Sequence, residues 1–433
     1  MKTGLLLSFA FVSMLLACST RSNLVERTDI ENYLHSTLKS PLVKIDSEIN
    51  FWNQRFTKVP DDLIARAKIA SLLIHRFAYS GNIAEIHEAD SLYKLVNSIN
   101  RLNSSSTYRS LAANCITQHQ FRLAQSYIDS ALALGDDKFL STLMEFDIAL
   151  ELGNLQRARK SLGSIHDKNC FEYLIRQAKY KDKVEGDLES AISLMEMARE
   201  KSKEIPNKEL FLWVNSNLAD MYGHANRFED SYQKYLQVLQ EDPQYYHALK
   251  GIAWLAYAKD NNLDLAKEIL VYLKTVHPIP DYDLLLANIA ETENDSVSKK
   301  QLLHSFDKRV TNYLYGNMYN KYLFNLHAEE WQNKTEALEI AQKEIELRPT
   351  CEAFSWLAWA YLINNQKEKA LQTVKYHVEN KSFEPESLFL LGKIYFATGN
   401  TEKAKQYLTL AKESAFELGP NTLNQINQYL AKL

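Results

Sequence analysis

A pattern with a period of about 34 residues most constrains what this chain can fold into. Its clearest copy pairs Leu391 with Gly392, follows them with Tyr395, and places the small residue Ala404 nine positions after the tyrosine. The copy before it has the same residue types at the same offsets: Leu357-Ala358, Tyr361 and Ala370. A period of this length is typical of helical units that stack on their neighbours to form one continuous core.

Eight copies of the pattern are recognisable in the sequence. They begin near residues 105, 139, 172, 212, 247, 318, 351 and 385. Residues 281–317 leave room for one irregular unit, and residues 61–99 contain two amphipathic runs that indicate another. The pattern resembles the tetratricopeptide repeat, in which a large apolar residue stands beside a small one and is followed by an aromatic and a second small residue.

The composition agrees with a helical chain. Gly (12) and Pro (9) are scarce among 433 residues, against about 12% in average proteins. A small side chain is required where two antiparallel helices cross closely, which explains Ala370 and Ala404. The sequence and the resemblance therefore predict an all-α fold, a right-handed α-solenoid of tetratricopeptide-type helical hairpins.

The same reasoning divides the chain into five segments. We expect a lipoprotein signal peptide, a lipidated linker with a helical segment, a divergent helical hairpin, the repeat solenoid and a C-terminal capping helix. Their predicted bounds are 1–17, 18–60, 61–104, 105–419 and 420–433.

The N-terminus carries an apolar run, from Leu5 to Leu16, that is too short to cross a bilayer. It ends in Leu15-Leu16-Ala17-Cys18, which resembles the lipobox of bacterial lipoproteins. The resemblance implies cleavage before Cys18, acylation of its thiol, and attachment to a bacterial envelope membrane, with Ser19 compatible with the outer membrane facing the periplasm or the surface. An ordinary cleaved leader with a chance cysteine is the alternative.

Charge and motifs argue against several function classes. The formal net charge of -4 offers no broad positive field, so nucleic acid is not an expected partner. The sequence has no phosphate-binding glycine loop, no H-E-x-x-H and no calcium loop. We therefore expect no cofactor, no metal and no enzyme. Cys115, Cys170 and Cys351 lack paired spacings and are interpreted as packing residues in preference to a disulfide.

The inner surface of the solenoid is the predicted binding face. In the tetratricopeptide family this surface is lined by fixed positions of each first helix, and applying those offsets selects Arg109, Asp147, Tyr173, Arg176, Tyr180, Trp213, Asp220, Trp359, Phe389 and Lys393. Phe396 is added as an aromatic neighbour. Aromatic and Arg side chains supply most binding energy in interfaces. The expected anchors are therefore Trp359 with Phe389 and Phe396, and Arg176 with Tyr180. Packing within or between units is the alternative for each.

Two functions are consistent with these features. The first is a non-catalytic, membrane-anchored interaction scaffold that presents its concave surface to a protein or peptide partner. The second is a helical-repeat lipoprotein that binds a glycan or another nutrient beside an outer-membrane transporter.

Overall fold

A computed structural model describes residues 23–34, 41–59, 61–99 and 104–433. The chain is 80% helical, and the described part contains 23 helices and no strand. The predicted all-α fold is thus confirmed.

The helices of the N-terminal half have lengths of two to five turns. In chain order, α1 to α12 span Arg27–Leu34, Pro41–Lys58, Leu63–Ser80, Ile83–Ile99, Ser105–Thr117, Phe121–Leu134, Lys138–Glu151, Leu155–Ser164, Phe171–Tyr180, Leu188–Ser202, Lys208–His224 and Phe228–Glu241. A π-helical turn, Lys181–Glu185, extends α9.

The C-terminal half continues in the same way. The helices α13 to α23 span Tyr246–Ala258, Leu263–Val276, Asp281–Thr292, Ser296–Val310, Asn320–Asn325, Lys334–Leu347, Cys351–Ile363, Lys367–Thr373, Pro385–Ala397, Thr401–Glu413 and Ala415–Leu430. A 3₁₀ turn, Tyr313–Tyr315, precedes α17. Two π-helical turns, Leu326–Glu330 and Val374–Val378, extend α17 and α20.

Consecutive helices from α3 to α22 pair as ten antiparallel hairpins, and each hairpin packs on the next. Eight of their first helices begin at or near the eight predicted unit starts. Residues 281–317 contain one more hairpin, α15–α16, followed by the 3₁₀ turn. First helices of successive hairpins pack against one another, as in α5–α7, α11–α13 and α19–α21, whereas second helices make fewer contacts. The first helices therefore lie on the inside of the curve.

Small residues occupy the helix crossings, as the repeat pattern requires. Ala370 and Ala404 have no exposed surface. A Cβ atom at Gly392 would lie 2.6 Å from Leu408 Cγ, so α21 and α22 approach too closely for a side chain there. This close approach is the physical reason for the Leu-Gly pair in the clearest copy of the repeat.

The solenoid curves far enough for successive turns to touch. The loop inside the α7–α8 hairpin meets the loop before α19, where a Cβ at Gly153 would lie 2.9 Å from the Pro349 carbonyl oxygen. Gly186, inside the next hairpin, meets Phe383 before α21 in the same way. Each pair joins a hairpin to the one six hairpins further along the chain. One superhelical turn therefore takes six hairpins.

The two ends of the chain pack back onto the solenoid. At the N-terminal end, α1 lies against α14, where Ile30 and Leu34 are buried and the Val25 amide donates to Asp260 Oδ2 at 2.8 Å. At the other end, α23 contacts α21 and α22 and also α11, α13 and α15. The three cysteines within the described residues are unpaired; Cys115 is buried and the other two are half-buried.

Candidate partner-binding face

The first helices present a continuous accessible stripe to the inside of the superhelix, which we call the inner face. On α11 the stripe follows helical spacing through Trp213, Asn217, Asp220 and His224, while the residues between them are mostly buried. Every partner-binding residue that the sequence predicts lies on a first helix of a hairpin. The structure shows which of them keep surface available to a partner.

Trp359, Lys393 and Glu329 form one cluster near the C-terminal end of the inner face. The Lys393 Nζ lies 3.9 Å from the centre of the Trp359 ring and 2.8 Å from Glu329 Oε1. The Trp359 Nε1 donates to the same Glu329 oxygen at 2.7 Å. Phe389 covers Lys393 from another side, with its ring centre 5.3 Å from Nζ. The structure thus brings together three of the predicted residues, and Glu329 joins them.

Lys393 is a buried cation, with only 4% of its side chain exposed. Burial lowers its pKa, and the opposing attraction of Glu329 does not fully restore the pKa to its usual value. Because both the ring faces and Glu329 already contact this ammonium, Lys393 offers little to an incoming ligand. Its role in this structure is to join α21 to the π-helical turn after α17.

Phe389 and Phe396 both pack against Tyr429 on α23. Their ring centres lie 6.4 and 5.1 Å from that of Tyr429, in edge-to-face geometry. Phe389 is buried and Phe396 is half-buried. These two aromatics therefore hold the last helix in place.

A second charged cluster, which the sequence did not predict, lies on the first helices α17, α19 and α21. The Lys321 Nζ lies 2.6 Å from Glu386 Oε2 and 3.1 Å from Glu352 Oε1. Asn325 donates to the other Glu386 oxygen at 2.7 Å. Burial alone would lower the pKa of Lys321, but Glu386 and Glu352 outweigh it and raise that pKa well above its usual value. The repeat offsets give no signal for Lys321, because they place the inner positions one, four and eight residues after the predicted start near 318.

Arg109, Asp147 and Arg176 are engaged in bonds between neighbouring first helices. Arg109 lies 2.9 Å from Asp137 Oδ2, and Arg176 lies 2.6 Å from Asp147 Oδ2. Arg176 also donates to the Leu143 carbonyl at 3.1 Å. Only 12% of the Arg176 side chain is exposed, so its guanidinium mainly fastens α9 to α7.

Tyr173 and Tyr180 lie at opposite ends of α9 and do not meet. The Tyr173 hydroxyl donates to Gln177 at 3.2 Å, and the Lys168 ammonium lies 4.6 Å from its ring centre. Tyr180 is buried and accepts a hydrogen bond from Arg159. Arg176 and Tyr180, the two expected anchors on this helix, thus both have partners inside the solenoid.

Trp213 and Asp220 both lie on the accessible stripe of α11. Trp213 is 40% exposed and touches Phe171 edge-on at 6.4 Å. The Asp220 carboxylate accepts a hydrogen bond from Tyr235 and lies 2.8 Å from His247 Nε2. Burial raises the pKa of Asp220, but His247 and Tyr235 outweigh this effect and hold it below the usual value. Trp213 is therefore the predicted aromatic with the most surface for a partner.

Charges from two superhelical turns meet around Glu151 on α7. Its carboxylate lies 3.0 Å from Lys179 Nζ and 3.2 Å from Arg348, which precedes α19 in the next turn. Burial raises the pKa of Glu151, but Lys179, Lys183 and Arg348 overcome that effect and lower it to about 2. The Glu151 carboxylate therefore stays ionised at neutral pH between cations that belong to two superhelical turns.

Within the described part of the chain, no group of three or more His, Cys, Asp or Glu side chains is placed to hold a metal ion. The helices there also include none that is long and apolar enough to cross a bilayer. Cys18, the predicted lipidation site, lies outside the described residues.

The hairpin α21–α22 has the geometry that the repeat pattern predicts, and its sequence matches a known family. Residues 385–417 match the family model described as a tetratricopeptide repeat. No curated protein sequence matches the chain significantly.

Solved tetratricopeptide-type structures resemble the fold at low sequence identity. A tetratricopeptide repeat protein from Parabacteroides merdae is 18% identical, over 60% of this chain and 97% of its own, with a TM-score of 0.34. Human IFIT1, as a dimer with PPP-AAAA, is 13% identical over 88% and 92%, with a TM-score of 0.44. Yeast Tom70 is 10% identical over 90% and 93%, with a TM-score of 0.33.

Proposed function

We propose that the protein is a non-catalytic interaction scaffold of a bacterial cell envelope, anchored by lipid at Cys18, that binds a protein or peptide partner on its inner face. Tetratricopeptide repeats generally mediate protein–protein interactions. The observation that carries the proposal is the accessible stripe of α11, where Trp213 is 40% exposed and Asp220 lies about two helical turns further on. Tryptophan is among the residue types that most often anchor protein interfaces.

A protein partner accounts for the inner face better than a glycan does. Sugar sites use aromatic faces that are free to stack, whereas the Trp359 ring is covered by the Lys393 ammonium at 3.9 Å. Phe389 and Phe396 face Tyr429. The remaining surface alternates in charge, with Glu151 and Lys179 as one example. Such a surface complements a polypeptide that carries both signs of charge.

Affinity capture from solubilised envelope membranes tests the partner proposal. We expect the wild-type protein to retain a reproducible polypeptide and Trp213→Ala to lose most of it, because truncating an interface anchor costs roughly 2 kcal/mol or more. Tyr376→Ala is the matched control, since Tyr376 is a 64% exposed aromatic on the π-helical turn after the second helix α20. Equal retention by both variants, or saturable binding of glycans alone, would contradict the proposal.

Membrane fractionation tests the anchor separately. Cys18→Ala should leave the precursor unprocessed or release the protein from membranes, because two or three acyl chains provide the stable attachment. Cys170→Ala, which changes a half-buried cysteine outside the leader, should fractionate as wild type does. Tight membrane association of Cys18→Ala after processing would exclude acylation there.

A further inference from the structure

The N-terminal end of the described chain is fastened to the outside of the solenoid at one place. The Val25 amide donates to Asp260 Oδ2 at 2.8 Å, and Asp260 lies in the turn between α13 and α14. The Arg27 guanidinium lies 2.8 Å from Glu268 on α14. Ile30 has no exposed surface. The chain therefore enters the folded protein beside the α13–α14 turn.

The turns inside the hairpins point towards the C-terminal end of the superhelix. In the first superhelical turn they are covered by later loops: Gly81 meets His277 and Ile279 before α15, and Gly153 and Gly186 meet the loops before α19 and α21. In the last five hairpins, from α13–α14 to α21–α22, the residue with positive φ in each of these turns is exposed. These residues are Asn261, Asn294, Gln332, Asn365 and Gly399. We call the five turns, residues 259–262, 293–295, 331–333, 364–366 and 398–400, the free rim.

Chain length limits how far Cys18 lies from the folded protein. Five peptide units separate Cys18 from Asn23, where the described chain begins, so these two residues are at most about 18 Å apart. The opposite end of the solenoid is further away. Helices α7 and α19 stack end to end where Gly153 meets Pro349, and with 14 and 13 residues they span about 40 Å together. A bilayer that holds acyl chains on Cys18 therefore cannot lie at the opposite end.

The charge of the outer surface argues against a solenoid that lies on its side. The exposed face of α1 carries Glu26, Asp29 and Glu31. Its one cation, Arg27, is already paired with Glu268. Anionic lipids therefore repel this face. The free rim differs, because nine of its 16 residues are Asn or Gln, whose uncharged amides form hydrogen bonds with lipid head groups.

We propose that the free rim faces the membrane and lies close to the lipid head groups, so that the superhelix stands on its C-terminal end. The inference rests on the lipid anchor at Cys18 proposed above and adds to it the surface that meets the lipid. The opening of the inner face at the opposite end is then turned towards the aqueous side.

Energy transfer to the membrane surface tests this orientation with two labels on one line of the solenoid. Lys138 and Lys367 are the exposed first residues of α7 and α20, at the two ends of the stacked helices α7 and α19. Each is changed to Cys in the acylated full-length protein, after the half-buried Cys170 and Cys351 are replaced by Ala, and is labelled with a donor dye. The vesicles contain phosphatidylethanolamine and phosphatidylglycerol, with a rhodamine acceptor on the head groups.

We expect transfer from Lys367→Cys to be several-fold more efficient than from Lys138→Cys, because the second label lies about 40 Å further from the lipid. Ile30→Asp should detach α1 from α14 and reduce this difference, since the tether then extends from Cys18 to α2. Glu31→Ala is the matched control, an exposed change on the same helix that should preserve the difference.

The possible failures are distinguishable. Protein that does not float with the vesicles would contradict the anchor, and this inference with it. Flotation with equal transfer from both labels, or with stronger transfer from Lys138→Cys, would overturn the orientation alone. An Ile30→Asp variant that keeps the full difference would also overturn it, because the docking of α1 would then not set the orientation.

Discussion

The hairpins α21–α22 and α17–α18 show two ways of building one unit of this solenoid. In the first, two full helices cross at Gly392 and Ala404, and almost every motif position is buried. In the second, α17 has only six residues and continues as a π-helical turn. That turn carries Glu329, which reaches Lys393 and Trp359 on other hairpins.

The comparison shows that the regular hairpin mainly contributes core packing, whereas the irregular hairpin contributes charged contacts to other hairpins. A regular helix fixes its side chains at repeating positions, so the regular hairpin mainly supplies core. A π-helical turn shifts the following residues relative to that repeat and is frequent at functional sites. The π-helical turn after α9 behaves similarly, because it carries Lys183, whose pKa burial would lower but Glu151, Glu384 and Glu352 raise. Irregular hairpins therefore supply much of the inner-face charge.

The largest expected effect is overpacking of the regular hairpin. Ala404→Leu adds three carbon atoms at a crossing with no exposed surface and should lower the free energy of unfolding by about 3 kcal/mol. Urea unfolding followed by circular dichroism measures the change. The neighbouring exposed Lys405→Leu should stay within about 0.5 kcal/mol of wild type. Equal stability of Ala404→Leu and wild type would refute the assigned crossing.

Neutralising the Glu329 carboxylate of the irregular hairpin should have the next largest effect on the free energy of unfolding. Glu329→Gln leaves the buried Lys393 ammonium without its counter-ion and should cost about 2 kcal/mol. We expect less than the roughly 3–5 kcal/mol of fully buried pairs because 42% of the Glu329 side chain is exposed. The same unfolding measurement checks it, with exposed Glu402→Gln on α22 as control.

The pH dependence of stability should identify Lys393. Its pKa is lowered in the folded protein, so below the unfolded value of 10.5 the unfolded chain binds the proton more strongly. Stability should therefore rise with pH through the lowered pKa towards 10.5, relative to Lys393→Met, which lacks the group. Unfolding free energies of both proteins between pH 8 and 10.5, a window of about two units, measure the difference. A constant difference would exclude a shifted Lys393.

Removing the N-cap of the second helix should have the smallest effect on stability, and the effect should be the same in both hairpins. Asn400 accepts from the Lys403 amide at 3.1 Å, and Asn333 accepts from the Glu336 amide at 3.3 Å. Either Asn→Ala change should cost about 1 kcal/mol. Thermal unfolding of the two variants compares them. A much larger loss for Asn333 would show that the cap also supports the π-helical turn.

The hairpins could be predicted from sequence because their signals are local. Ala404 follows Tyr395 at a fixed interval, and both are buried where the pattern expects a crossing. Residues 281–317, where the sequence predicts one irregular unit, form the hairpin α15–α16, whose second helix is capped by Asp295 but lacks the small residue of the repeat pattern. The sequence also placed Trp359, Phe389 and Lys393 on the inner face. There the Lys393 ammonium contacts both aromatic rings.

The features that could not be predicted are contacts between residues that lie far apart in the sequence. Glu329 reaches Lys393 because a π-helical turn redirects it, and no short motif records such a turn. The meeting of Gly153 with Pro349 depends on small rotations summed over six hairpins. No local motif marks the contacts of Phe416, since its partners Phe228 and Trp254 lie far away in the sequence.

Contact between turns restricts how this chain can change in length. An open solenoid tolerates the gain or loss of a unit because only neighbours interact. Here, deleting one hairpin between Gly153 and Pro349 would bring each loop opposite the wrong counterpart. Duplication and deletion, the ordinary means by which arrays of this kind evolve, are therefore penalised in this molecule.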